Sequence, residues 1–170
     1  NPTEGDHITV YLPAFEARRL VPVFNRISEV DWHMFCPEVS YSSRQQNVHI
    51  YPVGKNRFLE SLESCLGVVT AAGFETTSEA LFLGKKLLAI PIKNQYEQLC
   101  NAAALEQLGG QVAYEIGSTF SEILWHWVDK GERLSIPEIS DEEELVQKIL
   151  AAGKDGIFDA NWQVINTFSG

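Results

Sequence analysis

The stretch Leu66-Gly67-Val68-Val69-Thr70-Ala71-Ala72-Gly73-Phe74-Glu75-Thr76-Thr77-Ser78-Glu79-Ala80-Leu81-Phe82-Leu83-Gly84 decides how the rest of the chain is read. Its first five residues form a mostly apolar run of strand length with two valines and a threonine, the pattern of a strand buried on both faces. Ala71-Ala72-Gly73 follows as a turn of small residues, and the next residues read as a helix up to Gly84. The same succession then recurs. Lys86-Leu87-Leu88-Ala89-Ile90 is a second strand closed by Pro91, and Gln95-Tyr96-Glu97-Gln98 with Asn101-Ala102 lies on a second helix. Strands alternating with helices in this way predict an α/β chain with a parallel sheet.

The turn at Ala71-Ala72-Gly73 carries the first chemical expectation. Three small residues between a strand and a helix let a ligand approach the backbone closely. The first turn of the helix has N–H groups with no intrahelical partner, and its dipole favours an anion. Thr76 and Thr77 add hydroxyls in that turn. Glu79 lies six residues beyond Gly73, about 9 Å along the axis, too far to repel a bound phosphate strongly and well placed for a ribose diol. Glu75, Thr76 and Glu79 share one polar arc, while Phe74, Thr77 and Leu81 fall opposite and can pack on the sheet. A plain strand–turn–helix with glycine placed for packing fits the same pattern.

Taken together, Gly73, Thr76, Ser78-Glu79-Ala80-Leu81, Gly84, Pro91, Glu97-Gln98 and Asn101-Ala102 resemble the C-terminal domain of GT-B glycosyltransferases. The branch most similar is that of the bacterial peptidoglycan N-acetylglucosaminyltransferase and the glucuronosyl- and glucosyltransferases. The resemblance is dense over residues 48–110 and extends to the flanks as a fold outline. It implies a three-layer Rossmann-like parallel sheet with helices on both faces, and a nucleotide-diphospho-sugar donor, of the uridine type, bound as substrate with no separate cofactor. Ala72, Gly73 and their turn would hold the diphosphate, with support from Thr76. Glu79 would take the ribose hydroxyls, and the backbone near Val53 would meet the base edge. Glu97 and Gln98, just past a second helix start at Gln95, would face the sugar. The resemblance further implies displacement at the anomeric carbon by an acceptor hydroxyl, with the base supplied by an N-terminal acceptor domain. No catalytic residue is therefore assigned in this chain. One departure stands out: many relatives have His where this sequence has Ala71. Lys55, Arg57 and Lys93 are the nearest candidate cations.

Composition narrows the partners. A formal net charge of -10 over 170 residues argues against unspecific binding to nucleic acid or to an anionic membrane, which requires a basic face. Cys36, Cys65 and Cys100 are odd in number and widely spaced, so they suggest reduced thiols and a cytoplasmic protein rather than a disulfide framework. No run is long and apolar enough to span a bilayer, and no signal peptide is expected from the residues read. The four histidines are dispersed and read as structural, and no spacing suggests a metal site.

In chain order, the first strand is expected at residues 7–12, with a turn at 13–16 and a helix to about residue 27. A second strand is expected at 31–36, a polar loop at 41–47 and a third strand at 48–51. After a turn at 52–54 comes a helix over 57–64. Beyond the organising stretch, a strand is expected at 111–114 and a helix, capped by Ser118, to about residue 129. Residues 131–140 form a connection, Asp141-Glu142-Glu143-Glu144 starts a further helix, and residues 156–168 a last short one. The loops at 13–15, 52–57, 70–74 and 91–96 should surround one crevice at the carboxyl edge of the sheet. The whole is expected to be one domain, 1–170, excised from or completed by an N-terminal partner. Alternative readings are a separate donor-binding subunit of a two-subunit transferase, a nucleotide-sugar 2-epimerase-like domain, and a non-catalytic Rossmann-like module.

Overall fold

The computed structural model describes residues 5–134 and Gln147. The expected helices starting at residues 141 and 156, and most of the connection at 131–140, lie outside them. The runs rich in β-branched and other apolar residues become strands: β1 His7–Tyr11, β2 Asp31–Cys36, β4 Val48–Pro52, β5 Gly67–Thr70, β6 Lys86–Ala89 and β7 Gln111–Val112. Between them lie α1 Ala17–Phe24, α2 Lys55–Ser64, α3 Phe74–Phe82 and α4 Tyr96–Gln107, with α5 Phe120–Lys130 after β7. A short strand, β3 Ser43–Gln45, occupies the segment expected to be loop, and pairs antiparallel with β4. All three of its residues are exposed, so it carries no apolar alternation by which to recognise it.

One seven-stranded sheet runs in the order β3-β4-β2-β1-β5-β6-β7, parallel except for β3. From β1 the sheet grows one way through β2 and β4, and then the other way through β5, β6 and β7. With right-handed crossovers, that reversal puts the two sets of helices on opposite faces. Accordingly α1 and α5 cover one face, where Phe24, Trp32, Phe120, Leu124 and Trp127 are buried. The other face carries α2, α3 and α4, whose Leu62, Ala80, Leu81, Ala102 and Leu105 pack over Val68 and Leu87. The small residues Ala80, Ala102 and Ala104 are fully buried and let α3 and α4 lie close to the sheet.

Gly67 shows why β5 starts as it does. A Cβ there would lie 2.7 Å from Lys86 Cγ and 3.1 Å from Trp127 Cη2, so the strand must present a bare backbone to α5. The reversal of strand order falls between β1 and β5, and this switch point is where an open α/β sheet receives its ligand.

Candidate functional site

A cleft of about 480 Å³ opens beside that switch point. Tyr11, the last residue of β1, reaches it, as do Val53 and Gly54 of the turn after β4. One wall is the start of α2, with Lys55, Phe58 and Leu59 at i, i+3 and i+4 on a single helical face. The other wall is α3, with Glu75, Thr76 and Glu79. Of the residues predicted from sequence, Val53, Thr76 and Glu79 are thus brought together. The expected polar arc of α3 forms one whole wall, and Thr77 and Leu81 are buried on its far side.

The helix starts around the cleft are uncapped. The N-caps of α2, α3 and α4 are Gly54, Gly73 and Gln95, and none has a side-chain capping bond. Gly54 has φ -154° and Gly73 φ -69°, both open to any residue. A Cβ at either would meet nothing within 4 Å. Neither backbone conformation nor packing therefore requires glycine at these two positions; Gly54 lines the cleft, and Gly73 opens the helix that forms its other wall. Helix α1 differs: the amide N–H of Ala17 donates to Glu38 Oε1 at 2.6 Å, so a carboxylate of the chain itself occupies that helix start.

The turn before α3 is held from behind. Ala72 is fully buried, and its carbonyl accepts a hydrogen bond from Asn101 Nδ2 at 2.9 Å. Thr70 Oγ1 donates to the Tyr11 carbonyl at 3.1 Å, and the Ala71 amide donates to the same oxygen at 3.3 Å. Ala72 is therefore held inside the turn rather than on the cleft wall, and Gly73 follows it as the N-cap of α3. Around α4, Gln95 and Glu97 are exposed. Gln98 Oε1 accepts the Ile92 amide at 2.9 Å and fixes the preceding loop. These three do not line the cleft; Gln95 is the N-cap of α4, and Glu97 and Gln98 lie in its first turn.

Sequence reasoning gave Tyr11, Phe58 and Leu59 no place in the site, and it started α2 two residues late. The three candidate cations separate clearly. Arg57 lies 4.9 Å over the Tyr51 ring and donates to Ser42 Oγ, and Lys93 pairs with Glu115 at 3.0 Å. Lys55 lines the cleft and makes no hydrogen bond or ion pair among the described residues.

Elsewhere the reactive groups are quiet. Cys36, Cys65 and Cys100 are free and buried. Burial raises all three thiols, Cys36 to about 12, which disfavours the nucleophilic thiolate. His7 and His33 stack across β1 and β2, with His49 of β4 tilted beside them, and none of the three lines the cleft. Among the described residues, no group of three or more His, Cys, Asp or Glu could hold a metal ion, and no helix is long and apolar enough to cross a membrane.

No curated protein sequence matches this chain. Among solved structures, the spinosyn forosaminyltransferase SpnP is similar with a TM-score of 0.55 at 16% identity, over 91% of this chain and 40% of that one. ALG13 is similar with a TM-score of 0.62 at 11% identity, over 86% of this chain and 98% of that one. Acinetobacter baumannii MurG is similar with a TM-score of 0.53 at 13% identity, over 96% of this chain and 49% of that one. At these identities the likeness establishes the fold, and the chain spans about 40% of the length of SpnP. Residues 1–124 match glycosyl transferase family 1, and on that match the chain, with the fold of a GT-B donor domain, belongs to this family.

Proposed function

We propose that this chain binds the nucleotide-diphospho-sugar donor of a glycosyltransferase that moves a hexose onto an acceptor hydroxyl. One observation carries the reading: two glycine-started helices, α2 and α3, flank a single cleft at the switch point, and neither glycine has a reason inside the fold. Bare helix starts favour a phosphate, and membership of glycosyl transferase family 1 supplies the chemistry such a ligand would serve.

In this reading the diphosphate lies at the turn of Ala72 and Gly73, with the Thr76 hydroxyl beside it. Glu79 accepts hydrogen bonds from the ribose diol, and the backbone at Val53 meets the base, uracil being the first choice. Glu97 and the free amide end of Gln98 face the sugar from the first turn of α4, next to Gln95. As the glycosidic bond to the leaving diphosphate breaks, fixed backbone dipoles stabilise the charge that develops on it. The acceptor and its base come from an N-terminal domain, so the chain alone binds donor and transfers nothing. A cytoplasmic location belongs to the same proposal and rests on the three free cysteines.

A second reading is favoured by one observation, the coverage of 98% of ALG13: the chain works as a separate donor subunit beside a partner that holds the acceptor. Calorimetric titration with uridine, guanosine and thymidine diphosphates tests the main proposal. One of them should bind, and Glu79→Ala should weaken it by about 1–3 kcal/mol. Absence of binding by all three would leave a Rossmann-like module without a donor site.

A further inference from the structure

We propose that Lys55 is the side chain that neutralises the ligand's diphosphate, a role that rests on the donor reading above. Among the described residues the cleft offers one such group. Its described side chains include two carboxylates, Glu75 and Glu79, and one cation, Lys55. Each bare helix start offers about half a positive charge, and the turn 71–73 offers no polar side chain at all. A diphosphate carries more negative charge than those helix starts offset, so a full positive charge on the cleft wall favours it.

The position of Lys55 is itself hard to explain by folding. It is the first residue of α2, at the positive end of the helix dipole, where a cation is disfavoured. The first turn of α2 holds no acidic residue to offset it, and Gly54 offers no capping side chain. Lys85, by contrast, donates to the Glu63 and Cys65 carbonyls at 2.8 Å each, and Lys86 to those of Trp127 and Val128. Both are used where the dipole rewards a cation, at the ends of α2 and α5. Lys55 is exposed and has no intramolecular partner among the described residues. Its Phe58 and Leu59 neighbours line the same wall, so its aliphatic stem has apolar surface to follow while the ammonium reaches the cleft.

The test is titration of the 170-residue chain with uridine, guanosine and thymidine diphosphates and with the corresponding free nucleosides, across a series of salt concentrations. Lys55→Met keeps the stem and removes the charge; Lys55→Arg keeps the charge. The expected result is about a tenfold or greater loss of diphosphate affinity in Lys55→Met, with nucleoside affinity unchanged. Salt dependence should be shallower than in the wild-type chain, and Lys55→Arg should bind within about threefold of wild type. Diphosphate binding as tight in Lys55→Met as in wild type would overturn the role of Lys55 and leave the donor site standing. Wild-type protein that binds none of the three diphosphates would overturn both. Equal losses for nucleoside and diphosphate would also overturn it, because Lys55 would then shape the cleft rather than meet the phosphates.

Discussion

Asn101 is 3% exposed and uses its Nδ2 to hold the Ala72 carbonyl. Asn101→Ala would strand that buried acceptor, so stability should fall by about 1–3 kcal/mol, read as a lower urea midpoint. The histidine stack gives a second prediction at this scale. His7 and His33 lie ring to ring at 3.8 Å, and Ser61 Oγ is 3.1 Å from His7 Nε2 and 3.2 Å from His33 Nδ1. Burial, then the neighbouring His7 and His49, push His33 down to about 4 from its ordinary 6.5. Burial also lowers His7, against the opposing bond to the Ser61 carbonyl. Between the two values the unfolded chain binds more protons than the folded one, so stability rises with pH. This contribution is complete above about pH 6.5 and is lost as the pH falls toward 4. Urea midpoints measured from pH 7.5 down to pH 4.5, with carboxylate effects common to both proteins, should fall more steeply for wild type than for His33→Gln. Parallel curves would mean that the stack carries no proton linkage.

At the scale of the element, the glycines at the helix starts separate folding from binding. Gly54→Ala and Gly73→Ala place a methyl where nothing lies within 4 Å, at φ values open to alanine. Stability should be unchanged or rise by up to about 1 kcal/mol, since alanine restricts the unfolded chain. Donor affinity should drop, because the methyl stands where the ligand meets bare backbone. Gly67→Ala should do the reverse, costing about 1–3 kcal/mol through overpacking, because its Cβ would press on Lys86 and Trp127. Thermal melts and titrations on the three variants decide between these outcomes. The elements themselves were largely legible in the sequence, since buried parallel strands leave apolar runs such as 67–70 and 86–90. Several boundaries were not: α1 ends at Phe24 rather than near residue 27, and β7 covers Gln111–Val112 rather than 111–114. Helix α2 begins at Lys55 rather than at residue 57, and α5 begins after Thr119, with no side-chain cap at all, rather than with a cap from Ser118. Caps depend on local backbone angles that residue type constrains only weakly.

Across the whole molecule, the polar wall of the cleft could be read from the sequence and the apolar wall could not. Thr76 and Glu79 stand out beside a glycine turn, whereas Tyr11, Phe58 and Leu59 reach the same cleft only because β1 lies between β2 and β5. That adjacency joins residues more than forty positions apart and follows from topology, so no local pattern reveals it. The same arrangement makes ligand binding a property of the fold as a unit. Cleft residues come from β1, the turn after β4, α2 and α3, so an unfolded chain retains none of the site, and binding must stabilise the native state by mass action. At a donor concentration about one hundred times its dissociation constant, the gain is about 2.7 kcal/mol. For a chain of this length that corresponds to a rise in Tm of roughly 5–11 °C. Lys55→Met, measured at the same donor concentration, should recover only part of the rise, and the free nucleoside should produce the same smaller shift in both proteins. A Tm that no nucleoside diphosphate moves at millimolar concentration would show that the cleft is not a donor site, whatever the family of the chain.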